Sequence, residues 1–290
     1  MNNKRLIQYI SILLDTSTSE INNVRAIKNG LTNRSWYFEC GNNKYIIRIP
    51  GEEANKIINR SHELAVYDAI RSKGVSEEIV YMNAENGCKI AKFYSDARVC
   101  NAGNELDVKR CMKTLKTFHD MKLQVMHEFN LFEKIIFYEK LKKKTHYSDY
   151  TKIRENIFSL KKYINLTKSE YCLTHIDAVP DNFLILNNGE VKLIDWEYAA
   201  MQDPHVDVAM FALYSCYTKD QIDTLIDIYF NNNCPNDTRI KVYCYVAICG
   251  FMWSNWCEYK ENFGIDFGEY ADRQYEYAKL FFDIVKNKLN

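Results

Sequence analysis

The chain carries no excess charge of either sign: 38 Lys and Arg residues balance 38 Asp and Glu over 290 residues. There is thus no basic field to suggest a phosphate backbone as partner, and no nucleic acid is expected. Ten cysteines are present, yet none forms a CxxC pair or a His/Cys cluster at zinc spacing. Cys244 and Cys249 fall inside an apolar segment, where a free thiol behaves as a small hydrophobe. The longest apolar run, Val242 to Trp253, is shorter than the ~20 residues of a membrane span and predicts a buried helix. Met1 to Asp15 is amphipathic and lacks the charged start, apolar stretch and cleavage site of an export signal. No repeat, low-complexity tract or Gly/Ser linker interrupts the chain. These absences predict a reduced, cytoplasmic, globular protein with no membrane insertion.

What is present is ordinary globular composition, 47% hydrophobic and 26% charged, in a chain long enough for two lobes. Lys142-Lys143-Lys144 is the one notable basic cluster, and a solvated helix face accounts for it. Aromatic content stands out, with 21 Tyr, 15 Phe and 4 Trp; such rings serve cores and also surround organic cations. Residues 1–94 alternate as strands around one helix. Val24 to Lys28, Ser35 to Cys40 and Lys44 to Ile49 read as strands, with a hairpin turn at Gly41-Asn42-Asn43. Asn55 to Ser72 has helical spacing and stops at Gly74; Ile79 to Met82 and Cys88 to Phe93 complete a small, mainly antiparallel sheet. From residue 95 to 290 long helices dominate, interrupted by one hairpin. The fold class predicted is α+β.

That hairpin holds the chemistry. His175-Ile176-Asp177-Ala178-Val179-Pro180-Asp181-Asn182 is followed by Leu193-Ile194-Asp195-Trp196-Glu197-Tyr198. Taken singly, an Asp and an Asn in a loop are ordinary turn residues bonding their own backbone. Taken together, they match what phosphoryl transfer from a nucleotide requires: one carboxylate to deprotonate a hydroxyl, then an amide and a second carboxylate to hold Mg²⁺. Asp177 would be the base, and Asn182 and Asp195 the metal ligands. The spacing from Asp177 to Asn182 equals that between base and Asn in the HRDxxxxN segment of protein kinases. Short strands flank the loop, and the turn Asn187-Asn188-Gly189 returns the chain to Asp195.

In the first lobe, Gly30-Leu31-Thr32-Asn33 sits between two strands, where backbone N–H groups could face nucleotide phosphates. It is neither a Walker sequence nor a GxGxxG, and taken alone an ordinary hairpin turn explains it better, since Gly and Asn dominate such turns. Arg48 would contact the α and β phosphates and Glu63 would hold it by a charge-assisted pair; as isolated residues they read as a surface strand position and a solvated helix position. Phe93, closing the small sheet, is assigned to the nucleotide as well.

The segments GLTNRSWYFE, YIIRIPG, HIDAVPDN and DWEYAAMQDPHVDVA together resemble the choline/ethanolamine kinase family, and its bacterial choline kinases most. The resemblance runs from about Val24 to at least Tyr270. It implies a bilobal protein-kinase-like fold shared with aminoglycoside phosphotransferases, with ATP and Mg as cofactors and choline as the small-molecule substrate. By position it implies Asp177 as the base, His175 as support for its loop, Asn182 and Asp195 as metal ligands and Glu197 as an acidic neighbour reaching the metal through water. Asp207 would bond back to the loop backbone. Ala200 stands where such relatives carry Gly. The family places a W-x-x-W pair at the choline pocket, here Trp253 and Trp256 on one helix face. Tyr198, Tyr214, Tyr217 and Tyr270 are the other ring candidates, although helical aromatics commonly serve the core. Within the same fold, ethanolamine, another amino alcohol or an aminoglycoside is the alternative substrate; a polycationic antibiotic would call for acidic rather than aromatic lining. A catalytically dead binding module would have lost Asp177, Asn182 or Asp195, and all three are present.

Overall fold

The computed structural model describes residues 2–27, 33–51, 57–164 and 170–289, which fall into two units: Met1–Val99 with Leu184–Tyr198, and Cys100–Phe183 with Ala199–Asn290. In the first unit, helix α1 (Asn3–Leu14) opens where the Asn2 side chain accepts from Arg5 N and closes at Asp15, which takes φ 50°. Its Leu6 and Ile10, four residues apart and so on one face, meet Ile21, Phe38, Ile47, Cys88 and Ile90 in a core. Those residues come from β1 (Ile21–Ala26), β2 (Asn33–Cys40), β3 (Asn43–Pro50) and, beyond helix α2 (Arg60–Ile70) and β4 (Ile79–Met82), from β5 (Lys89–Lys92) and the residue before it. The sheet is antiparallel in the order β1-β2-β3-β5-β4. Cys40 pairs with Asn43 across a turn at Gly41, whose φ of 57° suits a residue without Cβ. Helix α2 starts after Asn59, which accepts from Ser61 N and His62 N; the expected start at Asn55 lies outside the described residues.

After strand β6 (Arg98–Val99), the second unit holds α3 (Glu105–Asp120), α4 (Leu131–Leu141), α5 (Tyr150–Ser159), α6 (Lys161–Ile164) and β7 (Cys172–Thr174); β8 (Phe183–Ile185) and β9 (Val191–Leu193) return to the first from Leu184 on, and the second resumes with β10 (Ala200–Gln202), α7 (His205–Tyr214), α8 (Lys219–Tyr229), α9 (Asn236–Glu261) and α10 (Glu269–Leu289). Helix α9 is buried without interruption from Val242 to Lys260, as a helix apolar all round must be. It meets α10 closely at Gly250, where a Cβ would lie 2.7 Å from Gln274 O. Among the described residues no helix is long and apolar enough to cross a membrane. Lys142 is not on a solvated face: its Nζ lies 2.6 Å from Glu258 Oε2 and 3.7 Å from the centre of the Tyr150 ring.

The division of the chain differs from the expected break after residue 94. Arg98 and Val99 pair with Ile185 and Leu184, and Leu193 N donates to Val75 O. Backbone ladders therefore carry the first unit on to Val99 and draw Leu184–Tyr198 into it. Strand pairs of two or three residues have too little pattern to be read locally.

Candidate active site

In the first unit, the buried cation on β3 meets three carboxylates. Arg48 donates from Nη2 to Glu63 of α2, and from Nη1 to Asp195 Oδ1 at 2.9 Å and Glu197 Oε2 at 3.4 Å. Arg60 donates from Nη1 to Glu63 Oε2 at 2.8 Å and Glu197 Oε2 at 3.3 Å. Asn33 Nδ2 donates to the same Glu197 oxygen at 3.0 Å. Burial opposes the Arg48 charge, but Glu63, Asp195 and Glu197 outweigh it and hold the guanidinium above its ordinary pKa. Burial, with the Asp195 charge behind it, raises the Glu197 carboxyl against the pull of Arg48. The network has one open end. The Asp195 side chain is 38% exposed, whereas those of Arg48 and Glu63 are 7% and 0%. A phosphate arriving at Arg48 and a cation arriving at Asp195 would each replace the partner the other gives up. Asp195 itself sits at φ 65°, a strained setting for a residue other than Gly.

In the second unit, the loop between β7 and β8 is fixed by a carboxylate behind it. Asp207, in the first turn of α7, accepts from Ile176 N on Oδ1 at 2.7 Å and from His175 N on Oδ2 at 2.9 Å. His119 Nε2 meets Oδ2 at 2.9 Å, and His119 Nδ1 meets Tyr229 OH at 2.8 Å. A carboxylate only accepts, so Nε2 carries the proton and the Tyr229 hydroxyl donates to Nδ1. Burial lowers the His119 pKa despite Asp207, which favours that neutral ring. Ile176 stands at φ 70°, a costly conformation for a β-branched residue, and it immediately precedes Asp177. Asn182, in the 3₁₀ turn Pro180–Asn182, donates from Nδ2 to Asp177 O at 2.8 Å and to Asp177 Oδ2 at 3.2 Å. That orients the Asp177 carboxylate and leaves the Asn182 amide oxygen for a ligand.

A run of rings leads towards the same loop. Trp253 stands edge-on to Trp256 at 5.3 Å, Trp256 lies 5.2 Å from Phe267, Phe267 6.3 Å from Tyr270, and Tyr270 6.0 Å from Tyr214. Tyr214 donates to Asp181 Oδ2 at 3.1 Å. Burial, then Asp181 and Asp177, push its hydroxyl up to about 12, and the Asp177 charge also acts on Tyr270. Trp253 commits its Nε1 to Met210 Sδ at 2.8 Å. Trp256 Nε1 is buried without a hydrogen-bond partner among the described residues.

The structure thus gathers Asn33, Arg48, Glu63, Asp195 and Glu197 in one unit, and His175, Asp177, Asn182, Trp253, Trp256, Tyr214 and Tyr270 in the other. Tyr217 donates its hydroxyl to Ala102 O and packs its ring on Phe211, among the buried core residues. Phe93 stands edge-on to Tyr37 at 4.9 Å. Half-buried Tyr198 closes the 3₁₀ turn Trp196–Tyr198 in the first unit. Gly30, Leu31 and Thr32 lie outside the described residues. Ala200 begins β10 opposite Thr174 in an extended strand, where no glycine is required. Arg60, His119 and Phe267 escaped the sequence reading. Arg60 could have been found, since it lies three residues before Glu63 on a helix. His119 could not, because nothing local ties it to Asp207.

In the first unit, the exposed carboxylate oxygens of Asp195 are of the kind that suits a hard cation such as Mg²⁺; in the second, the Asn182 amide oxygen is a donor of the same kind. Buried Glu197, bridging both arginines and Asn33, serves as an anchor within the first unit's network.

A family model described as choline/ethanolamine kinase matches residues 24–245. The crystal structure of choline kinase LicA from Streptococcus pneumoniae is 28% identical, covers 97% of this chain and 98% of its own, and superposes with a TM-score of 0.81. A structure of LicA in complex with AMP, also 28% identical over 97% and 98% of the two chains, gives 0.79. Protein LicA of Haemophilus influenzae is 23% identical over 264 residues, 86% of this chain and 77% of that one. The expected α+β, protein-kinase-like fold is the fold these relatives share with the chain.

Proposed function

Since the chain belongs to the choline/ethanolamine kinase family, we propose that it transfers the γ-phosphoryl group of ATP to the hydroxyl of choline, giving phosphocholine and ADP. The observation that carries the choline reading is the run from Trp253 through Trp256, Phe267 and Tyr270 to Tyr214, within the electrostatic reach of Asp177. Rings attract a quaternary ammonium by their negative faces, about 0.5–2 kcal/mol each when desolvated. They demand no hydrogen-bond partners from it, whereas a primary ammonium must have three N–H groups satisfied.

Asp177 takes the hydroxyl proton as the oxygen attacks phosphorus, and the Asn182 amide keeps its carboxylate aimed. Asp207 holds the loop in the strained form that presents Asp177. Arg48 takes the phosphate oxygens as a fixed cation, with Glu63 and Arg60 behind it. Asp195 in the first unit and the Asn182 amide oxygen in the second are the groups that would serve as Mg²⁺ ligands, and the ion would supply neutralisation of phosphate charge. ATP as donor is supported by the AMP complex of the LicA relative.

ADP release measured with choline, ethanolamine and an aminoglycoside tests the assignment. The expected result is the highest kcat/KM for choline. A higher value for ethanolamine would overturn the choline reading and leave the kinase reading standing.

A further inference from the structure

Beyond Arg60, a further buried cation stands beside Arg48 in the sheet. Arg48 of β3 and Lys89 of β5 are register partners, so their side chains share one face of the sheet. Lys89 is 5% exposed. Facing them on α2, Glu63 and Tyr67 are four residues apart, hence one above the other on one helix face. Glu63 takes Arg48. Tyr67 takes Lys89, whose Nζ also lies 2.8 Å from Glu77 Oε1 and 4.5 Å from the centre of the Tyr67 ring. The Tyr67 hydroxyl donates to Glu77 Oε1 at 2.7 Å. Two buried polar contacts, one turn apart, therefore pin the same helix to the same pair of strands.

We propose that Lys89, Tyr67 and Glu77 are positioning residues for nucleotide binding, acting through α2 and Glu63 on Arg48. The inference rests on the reading of Arg48 as the phosphate-binding cation. When Asp195 turns to a cation, Arg48 loses its 2.9 Å partner and depends on Glu63 to stay extended. Glu63 is only as well placed as α2. The Lys89–Tyr67–Glu77 cluster includes no group that must contact nucleotide or metal in the proposed reaction, so it keeps α2 docked while the Arg48 network changes partners. It is also neutral as a whole, because Glu77 balances Lys89; an unbalanced cation next to Arg48 would repel it, and an apolar replacement would give α2 nothing to hold.

The test is a double-mutant cycle on the full-length protein. Tyr67→Phe removes one hydroxyl at constant ring volume and should raise the KM for ATP about three- to tenfold, the worth of a buried hydrogen bond, with the KM for choline unchanged. In an Arg48→Ala background the same change should have no further effect on ATP, since the residue through which it acts is gone. Lys89→Met should reproduce the defect and Lys89→Arg should restore most of the ATP affinity; this pair carries the cycle if Tyr67→Phe does not fold. Equal increments in ATP KM with and without Arg48 would overturn the proposal, as would a lowered Tm with unaltered ATP KM. An Arg48→Ala variant that binds ATP normally would instead sink the role of Arg48 itself.

Discussion

Replacing Asp207 by Asn should unfasten the catalytic loop without emptying any space. The carboxylate is fully buried and accepts three hydrogen bonds, one on Oδ1 and two on Oδ2. An asparagine would turn its NH₂ towards the side with one donor, Ile176 N–H, because the other side faces His175 N–H and His119 Nε2–H. This orientation removes a hydrogen bond to a charged group, about 1.5–3 kcal/mol, and leaves a buried N–H unpaired. The remaining two bonds lose their charge assistance. A net loss of about 3 kcal/mol follows, which for a chain of this size lowers Tm by roughly 6–12 °C. Ile176 then has less to hold it at φ 70°, a conformation costing about 1–3 kcal/mol. It should relax and carry Asp177 out of line. Turnover should drop at least about tenfold, as misplacement of a reacting group does, while the KM for ATP stays unchanged. Thermal unfolding by circular dichroism and the ADP-release assay read the two effects. A variant that melts within about 2 °C of the parent, below the shift of a single kcal/mol, and turns over normally would refute the idea that Asp207 holds this loop.

Asp177→Asn should lower kcat by roughly 10²–10⁴, the usual worth of a positioned base, with nucleotide affinity by calorimetry intact; near-normal turnover would remove Asp177 from that role. Asp195→Ala should abolish Mg²⁺-dependent nucleotide binding as well as turnover, and a variant retaining Mg²⁺-dependent binding would count against the metal assignment. Trp256→Ala should raise the choline KM at least about tenfold, a desolvated cation–π contact with its packing, whereas an equal loss towards ATP would mean general unfolding. Stability should fall on mild acidification because burial holds the His119 pKa below its ordinary value. The unfolded chain takes up that proton more readily, so the contribution is complete above about pH 6.5 and is lost as pH falls towards the folded value. Tm followed from about pH 7.5 to about pH 5 should decline less steeply in His119→Gln, and identical slopes would exclude His119 as the source.

The strands and helices that repeat a clear period were legible from residues alone. β2 and β3 around Gly41, the amphipathic α1 ending at Asp15 and the apolar middle of α9 all follow from local pattern. The spacing of Asp177, Asn182 and Asp195 was legible in the same way, because loop length and residue type are properties of the chain. Ring candidates were less legible. Tyr214 and Tyr217 lie close together in sequence, yet one faces Tyr270 and Asp181 and the other bonds Ala102 in the core.

By itself, then, the sequence determined which acidic and amide groups are present, their order and the periodic elements that carry them, since these depend on residue identity and short-range spacing. Only the tertiary structure decided the partners of those groups: Arg60 on Glu197, His119 on Asp207, and Lys89 beside Arg48 across two strands. It also returned Leu184–Tyr198 to the first unit through two-residue pairings with Arg98–Val99. Such contacts join residues far apart in the chain, and a buried charge takes whichever partner the packing brings within reach, because leaving it unpaired costs more than any local preference supplies.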